Sequence, residues 1–323
     1  MLPDELQSVI ARHVPGEGTL DIHRLSNGLV NETYRVLRDG RAYAVRVAVA
    51  NSHDLVFDRA WEARVLERAG AAHLAPEITY CDPQGGILIA RWVDGRSWSP
   101  SDVRRQSNII RTAELLRRIH ALPMPAPARV MSPAKWIEYY GAARGQQDPQ
   151  GDVSAKTPAQ PPGTRGARHH LPAAATRRLA ALAALPGVDP VVCHSDLHTL
   201  NLVDCGNSLV LLDWEYAHAA DPLWDLAGWS ANNDLENNLK HDLLASYTGR
   251  PPTRNEYLRL QLLGWLYDYV CLLWSELYLN RHRGEPPGVD TPGGTPGSTP
   301  GSTPGDDIAD RARLLAARLN ASK

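Results

Sequence analysis

The segment 193–216, Cys-His-Ser-Asp-Leu-His-Thr-Leu-Asn-Leu-Val-Asp-Cys-Gly-Asn-Ser-Leu-Val-Leu-Leu-Asp-Trp-Glu-Tyr, constrains this chain more than any other. Asp196 and Asn201 stand on one short loop, and the apolar run Leu209–Leu212 ends in Asp213. A run of that kind, bounded by turn residues, predicts a short buried strand. Taken singly, each polar residue is explained by turn or cap chemistry. Taken in order, they match the needs of phosphoryl transfer. One carboxylate accepts a hydroxyl proton, while an amide oxygen and a second carboxylate hold Mg²⁺ against nucleotide phosphates. Two other readings compete. His194, Asp196 and His198 are ligand types for zinc or manganese in a metallohydrolase, but that leaves Asn201 and Asp213 without a task. A nucleotide-binding protein without activity is the third, against which the full set of acids and amide argues.

The whole chain has 323 residues, enough for one large or two coupled domains. Its first part is β-rich: Leu20–Leu25, Thr33–Leu37 and Ala42–Val49 read as strands separated by Asn27-Gly28 and Asp39-Gly40. A helix follows over Leu55–Ala69, then strands at Glu77–Cys81 and Gly86–Ala90. Beyond Asp94-Gly95 the pattern turns helical, with Asp102–His120 as one helix stopped by Pro123, and Leu171–Leu185 as another. We therefore expect an α+β chain in two lobes. A β-rich lobe spans residues 1–91, a hinge 92–97, and a larger, mostly helical lobe 98–283 that carries a flexible insertion over 143–168. Residues 284–306, with their Thr-Pro-Gly repeats, cannot hold a packed core and read as a spacer. Residues 307–323 hold a last helix, Ile308–Leu319, that either docks on the body or stands free.

His194-Ser-Asp196-Leu-His198-x-x-Asn201 resembles the catalytic loop of the aminoglycoside phosphotransferase and choline kinase families. Leu212-Asp213-Trp-Glu-Tyr216 is similar to their second metal motif, and Asp221-Pro-Leu-Trp-Asp225-Leu-Ala to the segment after it. The wording is nearest to bacterial choline and thiamine kinases. The resemblance implies a two-lobed protein kinase-like fold and transfer of the ATP γ-phosphate to an alcohol group. By position it implies Asp196 as catalytic base and Asn201 and Asp213 as Mg²⁺ ligands. His194 would brace the loop, Asp225 would tie down its backbone, and His198 would lie near the acceptor. His120 resembles a family position too, and reads as structural helix-end chemistry.

No G-x-x-x-x-G-K-[ST] pattern is present, so the nucleotide is not held by a P-loop. The phosphate-facing candidate is Asn27-Gly28-Leu-Val-Asn31, which an ordinary Asn-Gly hairpin explains equally well. The first 134 residues contain no lysine, so the phosphate cation must be an arginine. Arg46 alternates with apolar neighbours on a strand that reads as central and offers a bidentate fork; Glu62 resembles its helix partner. Ala90 and Trp92 mark the hinge whose backbone would meet adenine. On the acceptor side stand Glu215, Tyr216, Trp224, Trp265, Tyr267 and Trp274, with Asp268 and Glu276 nearby. Aromatic stripes are usually core, but two stripes on one helix are hard to bury together. An aromatic box with acids suits a cation such as choline, ethanolamine or thiamine. Aminoglycosides fit less well because they call for a broadly acidic pocket.

With 34 basic against 36 acidic residues, no broad positive field exists for nucleic acid. No run reaches the ~20 apolar residues of a membrane span. Four scattered cysteines suggest neither a disulfide framework nor a zinc knuckle. A cytoplasmic protein is expected, with ATP and Mg²⁺ as cofactors and a small hydroxyl acceptor as partner; oligomeric state stays open.

Overall fold

The computed structural model describes residues 3–27, 31–48, 58–145, 171–281 and 304–321. Helix α1 (Asp4–His13) precedes a meander of β1 (Asp21–Asn27), β2 (Asn31–Arg38) and β3 (Arg41–Ala48). Helix α2 (Arg59–Ala71) leads to β4 (Ile78–Asp82) and β5 (Ile87–Arg91), which complete a five-stranded antiparallel sheet in the order β1-β2-β3-β5-β4. The β2–β3 register is closed by Arg38 opposite Arg41. Between them Asp39 and Gly40 have φ of 49° and 72°, the left-handed pair that a two-residue hairpin turn requires. Leu6, Ile10 and Val14 of α1 cover Tyr34, Val36, Tyr43, Val45 and Ile89 on the sheet. The expected strands therefore form, each shifted by a residue or two.

Helix α2 starts at Arg59, where Asp58 caps it by accepting from Trp61 N; residues 55–57 of the expected helix lie outside the described residues. Its apolar face, Trp61, Val65, Leu66 and Ala69, joins the core of the helical lobe rather than that of the sheet. The two lobes thus share α2 as a common wall.

The hinge is fastened. Arg96 N–H donates to Asp204 O, and Asp204 N–H donates to Arg96 O. Gly95 permits this approach, since a Cβ there would lie 2.5 Å from Val203 Cγ1. Asp204 also accepts from Trp98 Nε1 at 2.7 Å and from both Arg111 terminal nitrogens.

The helical lobe contains α3 (Pro100–Val103), α4 (Gln106–His120), α5 (Pro133–Gly145), α6 (Leu171–Ala183), α7 (Leu223–Asn232), α8 (Asn237–Thr248), α9 (Arg254–Arg281) and α10 (Pro304–Ala321). Two small ribbons pair β6 (Val191–Cys193) with β9 (His218–Ala220), and β7 (Leu202–Asp204) with β8 (Leu209–Leu211). The single helix expected over Asp102–His120 is broken at Arg104-Arg105, because Ser99 and Asp102 form a capping box on α3 and Arg96 holds Asp102. Of the insertion expected over 143–168, residues 143–145 belong to the end of α5, and the rest lies outside the described residues. Likewise α10 begins at Pro304, inside the expected spacer.

Helix α10 docks. Ile308, Ala312, Leu315, Ala316 and Leu319 form one buried face against α9. This overturns the idea that both aromatic stripes of α9 are hard to bury. Helices α5, α6, α7 and α10 surround α9, so Trp265, Tyr267, Tyr269 and Tyr278 are all buried. No described helix is long and apolar enough to cross a membrane.

Candidate active site

The loop after β6 is built around Asp225, a buried carboxylate in the first turn of α7. Its Oδ2 accepts from His194 N–H at 2.9 Å and its Oδ1 from Ser195 N–H at 2.8 Å. Ser195 has φ 70°, a strained value for serine that these bonds hold in place. His120 Nε2 lies 3.2 Å from the same carboxylate, and its Nδ1 lies 2.8 Å from Tyr247 Oη. Burial works against the charged Asp225, but the two histidines and Ser195 N–H outweigh it and lower its pKa.

His194 braces the other side. Its Nε2 lies 2.8 Å from Leu212 O, and Asp196 N–H points at its Nδ1 at 3.3 Å. Both contacts are satisfied by a neutral ring that donates from Nε2. Burial lowers its pKa, which favours that neutral form. Because both ring nitrogens are taken, His194 cannot join Asp196 and His198 in a metal site, and the metallohydrolase arrangement does not form. The group of possible ligands that converges among the described residues is His120, Cys193 and Asp225. There the carboxylate is already engaged by the loop backbone.

Asp196 sits half-buried at the loop's tip. Its carboxylate accepts from Asn201 Nδ2 at 3.1 Å, and His198 Nε2 lies 3.5 Å away. Burial pushes its pKa up, but His198, His194 and Arg311 more than cancel this and bring it down to about 2. Asn201 Nδ2 also donates to Asp196 O at 3.0 Å, which leaves Oδ1 as the amide's available metal ligand. Leu212 N–H donates to Asn201 O, so the strand bearing Asp213 is tied to this loop. Asp213 has φ 58°. Asn201 and Asp213 together offer hard oxygen donors, and that donor set fits Mg²⁺.

Arg46 connects this loop to the sheet. Its guanidinium gives Glu62 a bond of 2.5 Å and Asp213 one of 2.8 Å. Burial disfavours its charge, yet Glu62, Asp213 and Glu215 raise its pKa on balance. Arg59, which sequence reasoning missed, adds a second, half-buried cation. It pairs with Glu62 at 2.9 Å and Glu215 at 3.0 Å and donates to Asn31 Oδ1. Its only sequence signal was its place one helical turn before Glu62. Asn31 donates in turn to Glu215 at 2.8 Å. Glu215, expected beside the acceptor, therefore faces the β-rich lobe instead. Burial and then Asp213 raise its pKa, against Arg46 and Arg59. Asn27 ends β1, and Gly28 lies outside the described residues. At the hinge Ala90 is buried in the sheet opposite Ala44, and Trp92 N–H is spent on Ala42 O. The guanidinium of Arg35 stands 5.0 Å over the Trp92 ring.

The aromatics divide. Trp265 is buried, with Arg178 4.1 Å over its ring, so its face is covered from within the chain. Trp224 is buried against Tyr267, with ring centres 5.1 Å apart. Both serve the core, in correction of the acceptor role expected for them. Tyr216, Tyr267 and Cys271 feel the charge of Asp196, as does Tyr140 of α5, which sequence reasoning did not single out. Trp274 neighbours Tyr216. Asp268, expected as the acid of a cation box, is bound by Arg318, whose Nε donates to it at 2.8 Å.

A small β-sheet lobe clasped to a helical lobe, with acids at the join, defines a kinase-like phosphotransferase fold. Residues 21–262 match the model of the phosphotransferase enzyme family, and the chain belongs to that family. A search of curated proteins returned no significant match. Among solved structures, the chain is similar to a choline/ethanolamine kinase family protein from Mesorhizobium loti, at 24% identity and TM-score 0.69. That alignment covers 98% of this chain and 93% of the other. Choline kinase LicA from Streptococcus pneumoniae is similar at 21% identity and TM-score 0.69, covering 99% and 98%. The streptomycin–ATP–APH(2'')-IIa ternary complex follows at 12% and 0.61, covering 98% and 97%. At these identities the neighbours establish the shared fold. The expected family, two-lobed fold and alcohol-group phosphotransferase class are thereby borne out.

Proposed function

We propose that this chain transfers the γ-phosphoryl group of ATP to a hydroxyl of a small acceptor with a cationic centre, of the choline, ethanolamine or thiamine kind. The observation that carries the reading is the chain of contacts from Glu62 through Arg46 to Asp213, with the Asp196–Asn201 loop tied to the same strand. It gathers a phosphate cation, metal-ligand oxygens and a base at one join. Solved structures of similar fold include complexes with AMP and with ATP.

In this reading Arg46 binds nucleotide phosphate, with Glu62 and Arg59 fixing its orientation. Asn201 Oδ1 and Asp213 would hold Mg²⁺, which when bound would neutralise phosphate charge. Asp196 accepts a hydrogen bond from the acceptor hydroxyl. A carboxylate held at about 2 is ionised at neutral pH but is a weak base. It therefore orients the oxygen for in-line attack and takes the proton only as the new O–P bond forms. Tyr140, Tyr216, Tyr267 and Trp274 supply aromatic surface beside Asp196, and His198 flanks it. Asp225 and His194 are positioning residues that act through the loop backbone.

The test is ADP release with Mg·ATP over choline, ethanolamine, thiamine, kanamycin and homoserine, with Asp196→Asn as blank. Saturable turnover on an ammonium-bearing acceptor is expected. The variant should lose it by about 100-fold or more while still binding ATP. Wild-type turnover in Asp196→Asn would remove Asp196 from the mechanism. Turnover confined to kanamycin would keep the mechanism and discard the small cationic acceptor. ATP binding with no hydrolysis and no acceptor turnover would favour a silent nucleotide-binding protein.

A further inference from the structure

Helix α10 brings a cation to the acceptor side that the mechanism above does not use. Arg311 Nη2 donates to Asn232 Oδ1 at 3.0 Å. Asn232 Nδ2 in turn lies 2.9 Å from Leu197 O, next to Asp196 on the loop, and 2.9 Å from Tyr267 Oη. Arg311 is thus one side chain removed from the catalytic loop, and its charge reaches Asp196, Tyr267, Cys271 and Asp268. Its side chain is exposed, and among the described residues it forms no salt bridge. Arg318, two helical turns further along α10, behaves differently. It is bound to Asp268 at 2.8 Å through Nε and to Asp234 at 2.5 Å. That pairing, with the apolar face of α10, fixes the helix on α9, so Arg311 is held in place rather than left to wander.

The charges around the acceptor side are then easily stated. Asp268 is neutralised by Arg318. Asp196 has His198 at 3.5 Å, and Arg311 forms no salt bridge among the described residues. A bare monocation would find one attraction and one repulsion there, whereas an acceptor with both an ammonium and an anion matches both groups. Arginine also presents several N–H donors in a planar fork suited to a carboxylate.

We infer that Arg311 is a specificity-determining residue that binds an anionic group, a carboxylate, on a small hydroxylated ammonium acceptor. This rests on the phosphotransferase reading of the site, and it replaces the choline-type monocation named there with a zwitterion.

The test uses matched acceptors that differ by one carboxylate: ethanolamine against L-serine, and 3-aminopropan-1-ol against L-homoserine. ADP release is measured on the full chain with saturating Mg·ATP, in wild type and in Arg311→Ala, Arg311→Lys and Arg311→Glu. In wild type, kcat/KM is expected to be at least tenfold higher for the carboxylated member of a pair. Arg311→Ala should collapse that ratio toward one, by a loss of roughly 10- to 100-fold carried mainly in KM, the size of a lost hydrogen bond to a charged group. Arg311→Lys should restore part of it, and Arg311→Glu should invert it. A loss that strikes both members of a pair alike would show a structural role only and overturn the inference. So would a wild-type preference for the uncarboxylated member, or silence on all four compounds. Basal Mg·ATP hydrolysis separates the two levels. If it is present and vanishes in Asp196→Asn, the kinase reading survives failure of the acceptor inference; if wild type lacks it and turns over neither the four nor choline, thiamine or kanamycin, both fall.

Discussion

Asp225→Asn is the sharpest probe of how this fold holds its catalytic loop. The carboxylate receives His194 N–H on one oxygen and Ser195 N–H on the other, deep inside the protein. Asparagine keeps one acceptor oxygen and turns an NH₂ group toward the second N–H. One charge-assisted bond is lost and a buried donor is left unpaired, which together cost about 2–4 kcal/mol. Ser195 loses the support for its left-handed backbone, itself a strain of about 1–3 kcal/mol, so the loop relaxes and carries Asp196 with it. The loss is a fraction of the about 5–15 kcal/mol of a typical domain, so the variant should fold. Its melting temperature should drop by roughly 4–12 °C. A displacement of about 1 Å at the base costs on the order of 100-fold in rate. The expected outcome is therefore a kcat reduced about 100-fold with KM for ATP nearly unchanged, because Arg46 and Glu62 are untouched. Thermal melts and steady-state ADP release measure both. Wild-type kcat with a wild-type melting temperature would refute the view that these two bonds set the loop's position.

Two further outcomes follow from the site's electrostatics. Arg46→Lys should raise KM for ATP by about tenfold, because a lysine ammonium cannot bridge Glu62 and Asp213 while binding phosphate; unchanged ATP affinity by titration would dismiss the fork. His218 is buried, donates from Nδ1 to Tyr216 O at 2.8 Å, and is held by burial at about 4. A depressed imidazole pKa means that its stabilising contribution is complete above the unfolded value near 6.5 and is lost as pH falls toward 4. About 3 kcal/mol should disappear across that window. Melts of wild type and His218→Asn from pH 7 to pH 4 check it, and equal slopes for the two would count against it.

Much of the site was legible because its chemistry is local. Asp196, Asn201 and Asp213 share one loop and one short ribbon, so their spacing carries the geometry, whereas the positive φ of Ser195 is held by Asp225 from the next helix. Arg46 stood out because a lysine-free lobe with an alternating strand leaves few phosphate cations to choose from. The β-hairpin turn at Asp39-Gly40 was equally local. Glu215 was placed on the wrong side because neighbours along an irregular segment can face opposite lobes. Its direction is set by Asn31 and Arg59, which lie far away in the chain.

The amino-acid sequence by itself determined the β-rich first part, the helical second part, the His194–Asn201 loop and the candidacy of Arg46, since each rests on periodicity or on fixed short spacing. Only the tertiary structure decided which aromatics are core, which acids are already paired, and what the last helix is for. Trp265 is closed off by Arg178, Asp268 by Arg318, and Arg311 meets Asn232, whose amide reaches Leu197 O next to Asp196, from the other end of the chain. Those outcomes depend on how amphipathic faces distant in sequence bury against one another. The sum of many small packing gains that selects one arrangement leaves no short pattern to read.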